Sequence, residues 1–504
     1  MVFTSWAFLK FFVIVLIGLR LTPTRRLRQL LILIASAYFY AYWNPWYLLV
    51  LLTPSIIDYF TAIKIEDSED SVVRKRWLVL SLVTNLGLLA YFKYTNFFLD
   101  NIAILLQRPV GHLSIVLPVG ISFYTFKTLS YTIDVYRREI KTCRSLWQYA
   151  MFVTYFPELV AGPIVRASIF LPQLSRSLRP SWPRTLIGMQ LVLLGVTKKL
   201  LIADRLAVFA DAIFAHPSAY SPLTVLSGVL CYSLQIYCDF SGYSDIAIGT
   251  SKIIGFDLPE NFNMPYLATS MIEFWRRWHI TLSNWLRDYV YFSIGGLRKN
   301  PLNKYRNVLI TMLLGGLWHG ASWTFVFWGF LHGIGLIVNH WWEDNRRRNR
   351  RKARPDWWIK VLCWGTTFGF VCTTWVFFRA QDFSTAIAIL RKVVGIDQGG
   401  IVHFYSPLFG LLPIVIIGHL LGILAARQMR LSGANGRWAP APRRLEQLYS
   451  AVKNRFAFRP SQVAGIYVLL PWPGFVGAFI ATIWVLVIYL FASLDTSPFI
   501  YFQF

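Results

Sequence analysis

Long apolar segments recur along almost the whole chain and are separated by short polar connectors. A helix needs roughly 20 predominantly apolar residues to cross the hydrocarbon core of a bilayer. Runs of this kind, together with shorter and interrupted ones, predict an all-α, polytopic membrane bundle of roughly eleven to thirteen helices, which we interpret as one domain over residues 1–504. The predicted spans lie near residues 5–21, 28–43, 45–63, 77–98, 113–135, 146–161, 186–213, 222–249, 307–342, 358–378, 407–426 and 463–493.

Glycine and proline interrupt several of these spans. Inside a bilayer, a break in a helix frees backbone groups that must bond to protein or to water in a cavity. The pattern therefore predicts broken and re-entrant helices around an interior cavity. The interrupting residues are Pro118, Gly120, Pro157, Gly162, Pro163, Gly315, Gly316 and Gly320.

The segment 271–290 differs from the spans because its polar and apolar residues repeat with a helical period. Arg276, His279, Ser283 and Arg287 follow one another at steps of three and four, opposite a stripe of large apolar side chains. A helix this polar does not cross lipid alone. We therefore predict either an amphipathic helix at the interface or a re-entrant helix inside the protein.

Composition agrees with a membrane protein, since 56% of the residues are hydrophobic and 15% are charged. The net charge of +26 would suggest nucleic acid in a soluble protein, but basic residues also collect in cytoplasmic loops, where they meet anionic lipid. We expect contact with membrane lipid and no nucleic-acid partner. The basic connectors expected in the cytoplasm are 25–28, 74–76, 137–138 and 346–354, with a further cytoplasmic loop over 427–459.

Several classes of chemistry lack their usual residues. The five cysteines form no C-x-x-C pair and no Cys/His cluster, so we expect no metal site and no disulfide framework. The chain contains no G-x-S-x-G, H-E-x-x-H or Walker A motif, which argues against serine-hydrolase, metalloprotease and phosphoryl-transfer chemistry. The apolar start from Trp6 to Gly18 has no preceding basic region, which favours a retained helix over a signal peptide.

His319 is the strongest candidate for chemistry among eight histidines. It lies in GGLWHGASWTFVFWG, where an ionisable group at membrane depth is a functional hypothesis by default. Desolvation disfavours the charged imidazolium, so a buried imidazole stays neutral and can act as a general base. The alternative is a core histidine bonded to carbonyls. His332 lies thirteen residues further on, which on an ideal helical wheel is roughly 220° around from His319, and we interpret His332 and His340 as structural or interfacial.

The depth of His319 is a difficulty for this hypothesis. A straight helix from His319 to Arg346 would be about 40 Å long and would put the imidazole near the far side of the membrane if Arg346 is cytoplasmic. A kink or a re-entrant segment at Gly315 to Gly320 would place it deeper.

Two carboxylates lie in the otherwise apolar segment IYCDFSGYSDIAIG. Asp239 and Asp245 cannot both face lipid cheaply, so they either orient a histidine, line a polar cavity or form structural hydrogen bonds within the bundle. Glu158 and the pair Lys198 and Lys199 carry the same ambiguity.

Several long motifs, in one order, resemble the membrane-bound O-acyltransferases and, within them, the bacterial polysaccharide branch typified by alginate O-acetyltransferase. The resemblance covers most of the chain. Glu158 departs from it, since similar sequences often have glutamine there. The motifs are LPVGISFYTFKTLSY, YFPELVAGPIVR, GVTKKLLIAD, YCDFSGYSDIAIG, FWRRWHITLSNWLRDYVYFSIGG, LLGGLWHGASWTFVFWG and WVFFRA.

The resemblance implies a bundle that encloses a funnel or tunnel in a bacterial inner membrane, with His319 and His279 as catalytic residues. It implies acyl transfer from cytoplasmic acetyl-CoA, with no permanently bound cofactor or metal. The acceptor would be a hydroxyl of an extracellular or cell-wall polysaccharide, reached with an extracytoplasmic acetyltransferase partner. The residues expected to bind substrate or line the tunnel are Asp239, Asp245, Arg276, Ser283, Asn284, Arg287 and Trp318.

Two other functions stay open from the sequence. The related D-alanyl transfer branch takes its acyl group from a carrier protein, for which the basic run 346–354 could be a docking face. A non-enzymatic transporter of polysaccharide or lipid would also use broken helices and buried polar residues.

Overall fold

The computed structural model describes residues 1–160, 162–175, 182–296, 301–348, 356–431, 475–492 and 499–500. Within these residues the regular structure is helical, apart from one isolated bridge between Tyr220 and Ile401. The α-helices are α1 (Trp6–Leu21), α2 (Arg25–Ala41), α3 (Pro45–Asp67), α4 (Ser71–Leu89), α5 (Thr95–Leu106), α6 (Ile121–Tyr136), α7 (Leu146–Thr154), α8 (Phe156–Leu159), α9 (Ala167–Phe170), α10 (Trp182–Val196), α11 (Asp204–Ala215), α12 (Pro222–Ile254), α13 (Met271–Trp275), α14 (Ile280–Trp285), α15 (Pro301–His319), α16 (Trp323–Arg348), α17 (Trp357–Arg379), α18 (Phe383–Val393), α19 (Ser406–Leu431) and α20 (Phe475–Phe491).

Two π-helical segments join α-helices into longer continuous rods, α4 to α5 and α10 to α11, and a third extends α14 at its carboxyl end. The three segments are Ala90–Tyr94, Thr197–Ala203 and Leu286–Tyr291. A π turn inserts an extra residue and re-aims the side chains around it, and such turns are frequent at functional sites. The first two segments lie within candidate membrane spans and carry Lys93, Lys198 and Lys199, whereas the third carries Arg287 and Asp288, of which Arg287 is exposed.

Five helical segments of the described chain are long and apolar enough to cross a membrane, which identifies a multi-pass membrane protein. They are Pro45–Asp67, Ser71–Leu106, Arg184–Ala215, Pro222–Ile254 and Trp357–Arg379, and two shorter apolar helices lie at Ser406–Leu420 and Gly477–Phe491. The all-α, broken-helix architecture is confirmed, while the count of eleven to thirteen helices and the tunnel stay predictions.

Helix α12 forms the centre of the bundle. Every residue from Cys231 to Ile254 is buried, including the polar ones. A helix that is surrounded on all sides must satisfy its polar groups inside the protein, because neither water nor lipid reaches them. This helix therefore holds the buried charges that the sequence placed at Asp239 and Asp245.

The predicted span 307–342 is wrong as a single helix. The chain turns back at residues 320–322, so that α15 and α16 form an antiparallel hairpin. Gly316 and Gly329 allow the two backbones to touch, since a Cβ at either position would come within 2.3 Å of a carbonyl oxygen on the opposite helix. At the other end of the hairpin, Lys304 forms an ion pair with Asp344 at 2.9 Å.

One end of the bundle gathers basic side chains, and we call it the basic end. Arg74 donates to the carbonyl of Tyr136, and Arg137 Nη1 donates to the carbonyl of Asp288 at 3.0 Å. Burial opposes ionisation of Asp288, but hydrogen bonds and charge from Arg287 and Arg166 lower the pKa of this carboxyl below its usual range. The basic connectors 74–76 and 137–138 therefore meet at one face.

Two predictions concern the remaining loops. The predicted loop 427–459 is wrong for its first residues, because α19 continues to Leu431, and residues 432–459 lie outside the described chain. In the basic run 346–354, α16 extends through Arg348, and the remaining residues also lie outside the described chain.

Candidate active site

His319 is the last residue of α15 and is 4% exposed. Its imidazole is enclosed by aromatic rings, with centroid distances of 5.0 Å to Trp318, 5.0 Å to Trp328 and 5.2 Å to Phe378. Such surroundings exclude water and disfavour a positive charge on the ring. The position suits a neutral imidazole that accepts a proton from a bound substrate.

The hairpin of α15 and α16 sets the level of His319 in the bundle. Helix α15 has 19 residues and is therefore about 28 Å long, and its first turns lie next to the end of α16. His319 consequently lies at the level of the hairpin turn, far from the Arg346 end of α16. The turn at residues 320–322, rather than a kink in one helix, sets this position.

Two side chains from the π segment Ala90–Tyr94 cover the carboxyl end of α15. Lys93 Nζ donates to the carbonyl of Trp318 at 2.5 Å and to that of His319 at 3.0 Å, and the Tyr94 hydroxyl donates to the carbonyl of Leu317 at 2.9 Å. A helix leaves its last four carbonyls without partners in the helix. Lys93 and Tyr94 therefore fix the backbone that carries His319.

A cavity of about 450 Å³ adjoins this helix end. His319, Lys93 and Trp318 line one side of it. The other wall comes from the turn between α2 and α3, from the segment before α6, from the first residues of α6 and from the residue after α8. The residues of that wall are Trp43, Val116, Leu117, Pro118, Val119, Gly120, Ile121, Ser122, Phe123 and Val160.

His279 is fully buried and lies where the chain changes direction between α13 and α14. The predicted continuous helix 271–290 is therefore wrong. His279 adopts φ +40°, in the left-handed region, so α13 ends before this residue and α14 begins after it. The imidazole Nδ1 donates to Asn261 Oδ1 at 3.0 Å. This bond places the proton on Nδ1 and the lone pair on Nε2 of the neutral ring.

Trp318 lies between the two candidate histidines. Its ring centroid is 6.2 Å from that of His279 and 5.0 Å from that of His319. On its other face Trp318 stacks on Phe126 at 5.1 Å, and Phe126 stacks on Trp285 at 3.7 Å. The structure thus brings His279 against Trp318 and His319 at the end of α15, and the three side chains form one aromatic cluster.

His332 is also close to this cluster. The helical-wheel argument separates it from His319, but the hairpin turn brings both rings against Trp328, at 4.5 and 5.0 Å. His332 accepts from Trp275 Nε1 at 3.2 Å and bonds to Thr374 Oγ1 at 2.9 Å. These partners fit the structural role predicted for His332.

The carboxylates of α12 pair with lysines of the π segment Thr197–Ala203 instead of orienting a histidine. Lys199 Nζ lies 2.8 Å from Asp239 and 2.8 Å from Asp204, and Lys198 Nζ lies 2.6 Å from Asp245. The backbone N–H of Ile500 also donates to Asp239 at 2.7 Å. Of the alternatives for Asp239 and Asp245, the structure therefore favours structural bonding within the bundle.

The polar residues around His279 point to different places. Arg276 and Arg287 are exposed, so they do not share a stripe with the buried His279. Arg287 pairs with Asp288 at 2.7 Å, and Ser283 donates to the Trp278 carbonyl at 3.2 Å. Asn284 is half-buried and its backbone carbonyl faces Arg166. The break at His279 separates these residues from the aromatic cluster.

Two residues of the site were missed by the sequence analysis. Lys93 is the only charged residue between Arg76 and Asp100, and an isolated charge at membrane depth is itself a signal of function. Asn261 gives no such signal, because it precedes the motif and reaches His279 only through the fold. Within the described residues, no group of His, Cys, Asp and Glu could hold a metal ion.

Comparison with known proteins gives a consistent set of relatives. The membrane-bound O-acyltransferase family model matches residues 32–374. The chain is 37% identical over 401 residues to the peptidoglycan O-acetyltransferase of Helicobacter pylori, covering 74% of this chain and 75% of that protein. It is 42% identical over 391 residues to the probable alginate O-acetylase AlgI of Pseudomonas aeruginosa, covering 77% and 73%. Identity to the teichoic acid D-alanyltransferase of Streptococcus thermophilus is 28% over 288 residues, covering 52% and 68%.

Proposed function

Because the chain belongs to the membrane-bound O-acyltransferase family, we propose that it moves an acetyl group from cytoplasmic acetyl-CoA to the outer side of a bacterial inner membrane. The acetyl group is used for O-acetylation of an extracellular or cell-wall polysaccharide resembling alginate. An extracytoplasmic acetyltransferase completes the transfer to sugar.

One observation carries this proposal. A buried imidazole, His319, lines a cavity of about 450 Å³ at the hairpin-turn level of the bundle. A cavity of this size accommodates a small acyl group together with part of its carrier or acceptor. Among the described side chains that line this cavity, the imidazole is the one whose usual pKa lies near neutral pH.

The reaction follows from this arrangement. The neutral imidazole of His319 takes the proton of the acceptor hydroxyl as its oxygen attacks the thioester carbonyl. The carbonyl electron pair moves onto oxygen, and its return expels the CoA thiolate, which takes the proton from the imidazolium. The alternative, in which His319 is itself transiently acylated, gives the same products.

The distribution of charge supports an orientation of the protein in the membrane. The basic end carries the connectors 74–76 and 137–138, and basic connectors stay in the cytoplasm during insertion. The donor enters from that end, and the acceptor reaches the cavity from the opposite end, where His319 lies. His279 lies beside Trp318 on the route between them and contributes to orienting the reacting groups.

The acceptor is tested by analysis of cells. In bacteria that lack the gene, we expect alkali-labile acetate to disappear from the extracellular polysaccharide and to return with the wild-type gene. His319→Ala restores no acetate, whereas the exposed-residue control His216→Ala restores it fully. Loss of acetate from the cell-wall polysaccharide alone would make that polymer the acceptor, whereas unchanged acetate in both the extracellular and the cell-wall fraction would contradict the proposal.

The same fractions test the donor class. The similarity to a teichoic acid D-alanyltransferase makes D-alanyl transfer from a carrier protein the second candidate. Loss of ester-bound D-alanine, with acetate unchanged, would contradict the proposal and favour that function.

A further inference from the structure

Lys93 is an isolated charge within the candidate membrane span Ser71–Leu106. It lies in the π segment Ala90–Tyr94, and its side chain reaches the end of α15 and the cavity beside His319. An ammonium at this depth is costly unless other groups stabilise it. The position of this costly ammonium next to the candidate base therefore points to a role in the reaction.

The contacts of the Lys93 ammonium stabilise it only in part. It donates to the carbonyls of Trp318 and His319 and lies 5.9 Å from the centre of the Trp318 ring. In the described chain it has no ion pair with a carboxylate, in contrast to the buried Lys127, Lys198 and Lys199. The Lys93 side chain therefore lies on the wall of the cavity without a carboxylate partner among the described residues.

The proposed reaction creates a negative charge in that place. We propose that Lys93 stabilises the oxyanion that forms when the acceptor oxygen attacks the thioester carbonyl beside His319. This inference rests on the function proposed above. A fixed positive charge in a site that excludes water is an effective stabiliser of such an oxyanion, because little reorganisation is needed during the reaction.

The step is balanced without any further reactant. The proton of the acceptor goes to His319 as the new carbon–oxygen bond forms, and the former carbonyl oxygen becomes the oxyanion facing Lys93. When the carbon–sulfur bond breaks, the oxyanion returns its electron pair to carbon, and the thiolate takes the proton back from His319. Lys93 keeps its proton throughout.

The simpler role of Lys93 is to cap the carboxyl end of α15, where a cation also interacts favourably with the helix dipole. Three substitutions separate the two roles. Lys93→Gln keeps a hydrogen-bond donor without charge, Lys93→Arg keeps the charge, and Lys93→Met removes both. Lys304→Met is the matched control, because Lys304 lies on the same hairpin at its other end and pairs with Asp344.

The experiment measures kcat and KM for thiol release from acetyl-CoA by each purified variant, together with binding of CoA. Loss of one oxyanion donor lowers turnover by about 100-fold to 1,000-fold. We expect losses of this size in kcat for Lys93→Gln and Lys93→Met, with CoA binding retained. Lys93→Arg and Lys304→Met should stay within about tenfold of wild type.

Each other outcome overturns the inference. If Lys93→Gln turns over like wild type while Lys93→Met does not, Lys93 is a helix cap. If Lys93→Gln loses CoA binding in parallel with kcat, its role is in donor binding or folding. If wild-type protein releases no thiol from acetyl-CoA, the proposed function itself fails, and this outcome is distinct because Lys304→Met then fails as well.

Discussion

At the scale of single residues, the site depends on polar groups that hold the two histidines in place. Asn261 Oδ1 accepts from His279 Nδ1 at 3.0 Å and from Thr281 Oγ1 at 2.9 Å, while Asn261 Nδ2 donates to Ser244 at 3.2 Å. One amide thus fixes the tautomer of His279 and the start of α14. Asn261 acts through His279 and is a positioning residue.

Replacing Asn261 by alanine should leave the buried His279 and Thr281 without their common acceptor. A buried polar group that loses its partner costs about 1–3 kcal/mol, so we expect a lower thermal midpoint in detergent. We also expect kcat for thiol release to fall more than KM changes, and Asn261→Asp to recover part of kcat, since it keeps the acceptor oxygen. Unchanged kcat in Asn261→Ala would show that His279 needs no such positioning.

The sequence singled out His319 as an ionisable group at membrane depth, and the family resemblance added His279 and Trp318. The structure places the three side chains in one aromatic cluster, and their roles stay predictions. The sequence could not show that Asp239 pairs with Lys199 and Asp245 with Lys198, since these lysines lie 40 and 47 residues earlier in the chain. It also missed Asn261, whose role arises only from the turn at His279. Long-range pairing is a property of the fold and leaves no pattern in one sequence.

At the scale of helices, the α15–α16 hairpin determines where His319 lies. The apolar pattern continues through the turn at residues 320–322, so the sequence predicted one span where there are two helices. The periodicity of segment 271–290 likewise continues across His279, although the backbone there is left-handed. Hydrophobic periodicity records which side chains are buried, and a sharp turn can bury the same side chains.

Gly316→Ala should disturb the hairpin, because the added Cβ would lie 2.3 Å from the carbonyl oxygen of Phe325. The two backbones must then separate, which shifts the end of α15 and His319 with it. We expect a lower thermal midpoint and a loss of thiol release. Gly369→Ala is the control, since no atom lies within 4 Å of its Cβ and alanine favours a helix.

Comparison of the two variants decides whether the close approach matters. If Gly316→Ala matches wild type in both midpoint and turnover, the helices are not in backbone contact as described. A drop in Gly369→Ala of the same size would instead point to a general intolerance of the bundle to substitution.

At the scale of the whole molecule, charge divides the bundle into two ends. Composition and hydropathy alone predicted a multi-pass membrane protein, because so much apolar surface cannot be buried in one soluble core. The sequence could not show that separate basic connectors meet at one face, because Arg74 and Arg137 are brought together only by helix packing.

Labelling of engineered cysteines tests this orientation. In a variant whose five native cysteines are replaced, Arg138→Cys at the basic end should react with an impermeant maleimide only after the cells are opened. Gly111→Cys, in the exposed segment before α6, should react in intact cells. The reverse pattern would place the basic end outside and would contradict entry of a cytoplasmic donor from that end.

The central claim is that His319 promotes acyl transfer from acetyl-CoA, and release of free CoA thiol tests it most directly. Purified protein in detergent is mixed with acetyl-CoA, with and without an extracytoplasmic acceptor fraction, and His319→Ala is compared with the exposed-residue control His216→Ala. We expect release by wild type and His216→Ala and a loss of at least about 100-fold in His319→Ala. Equal release by His319→Ala and wild type, or no release by folded wild-type protein in any combination, would contradict the account.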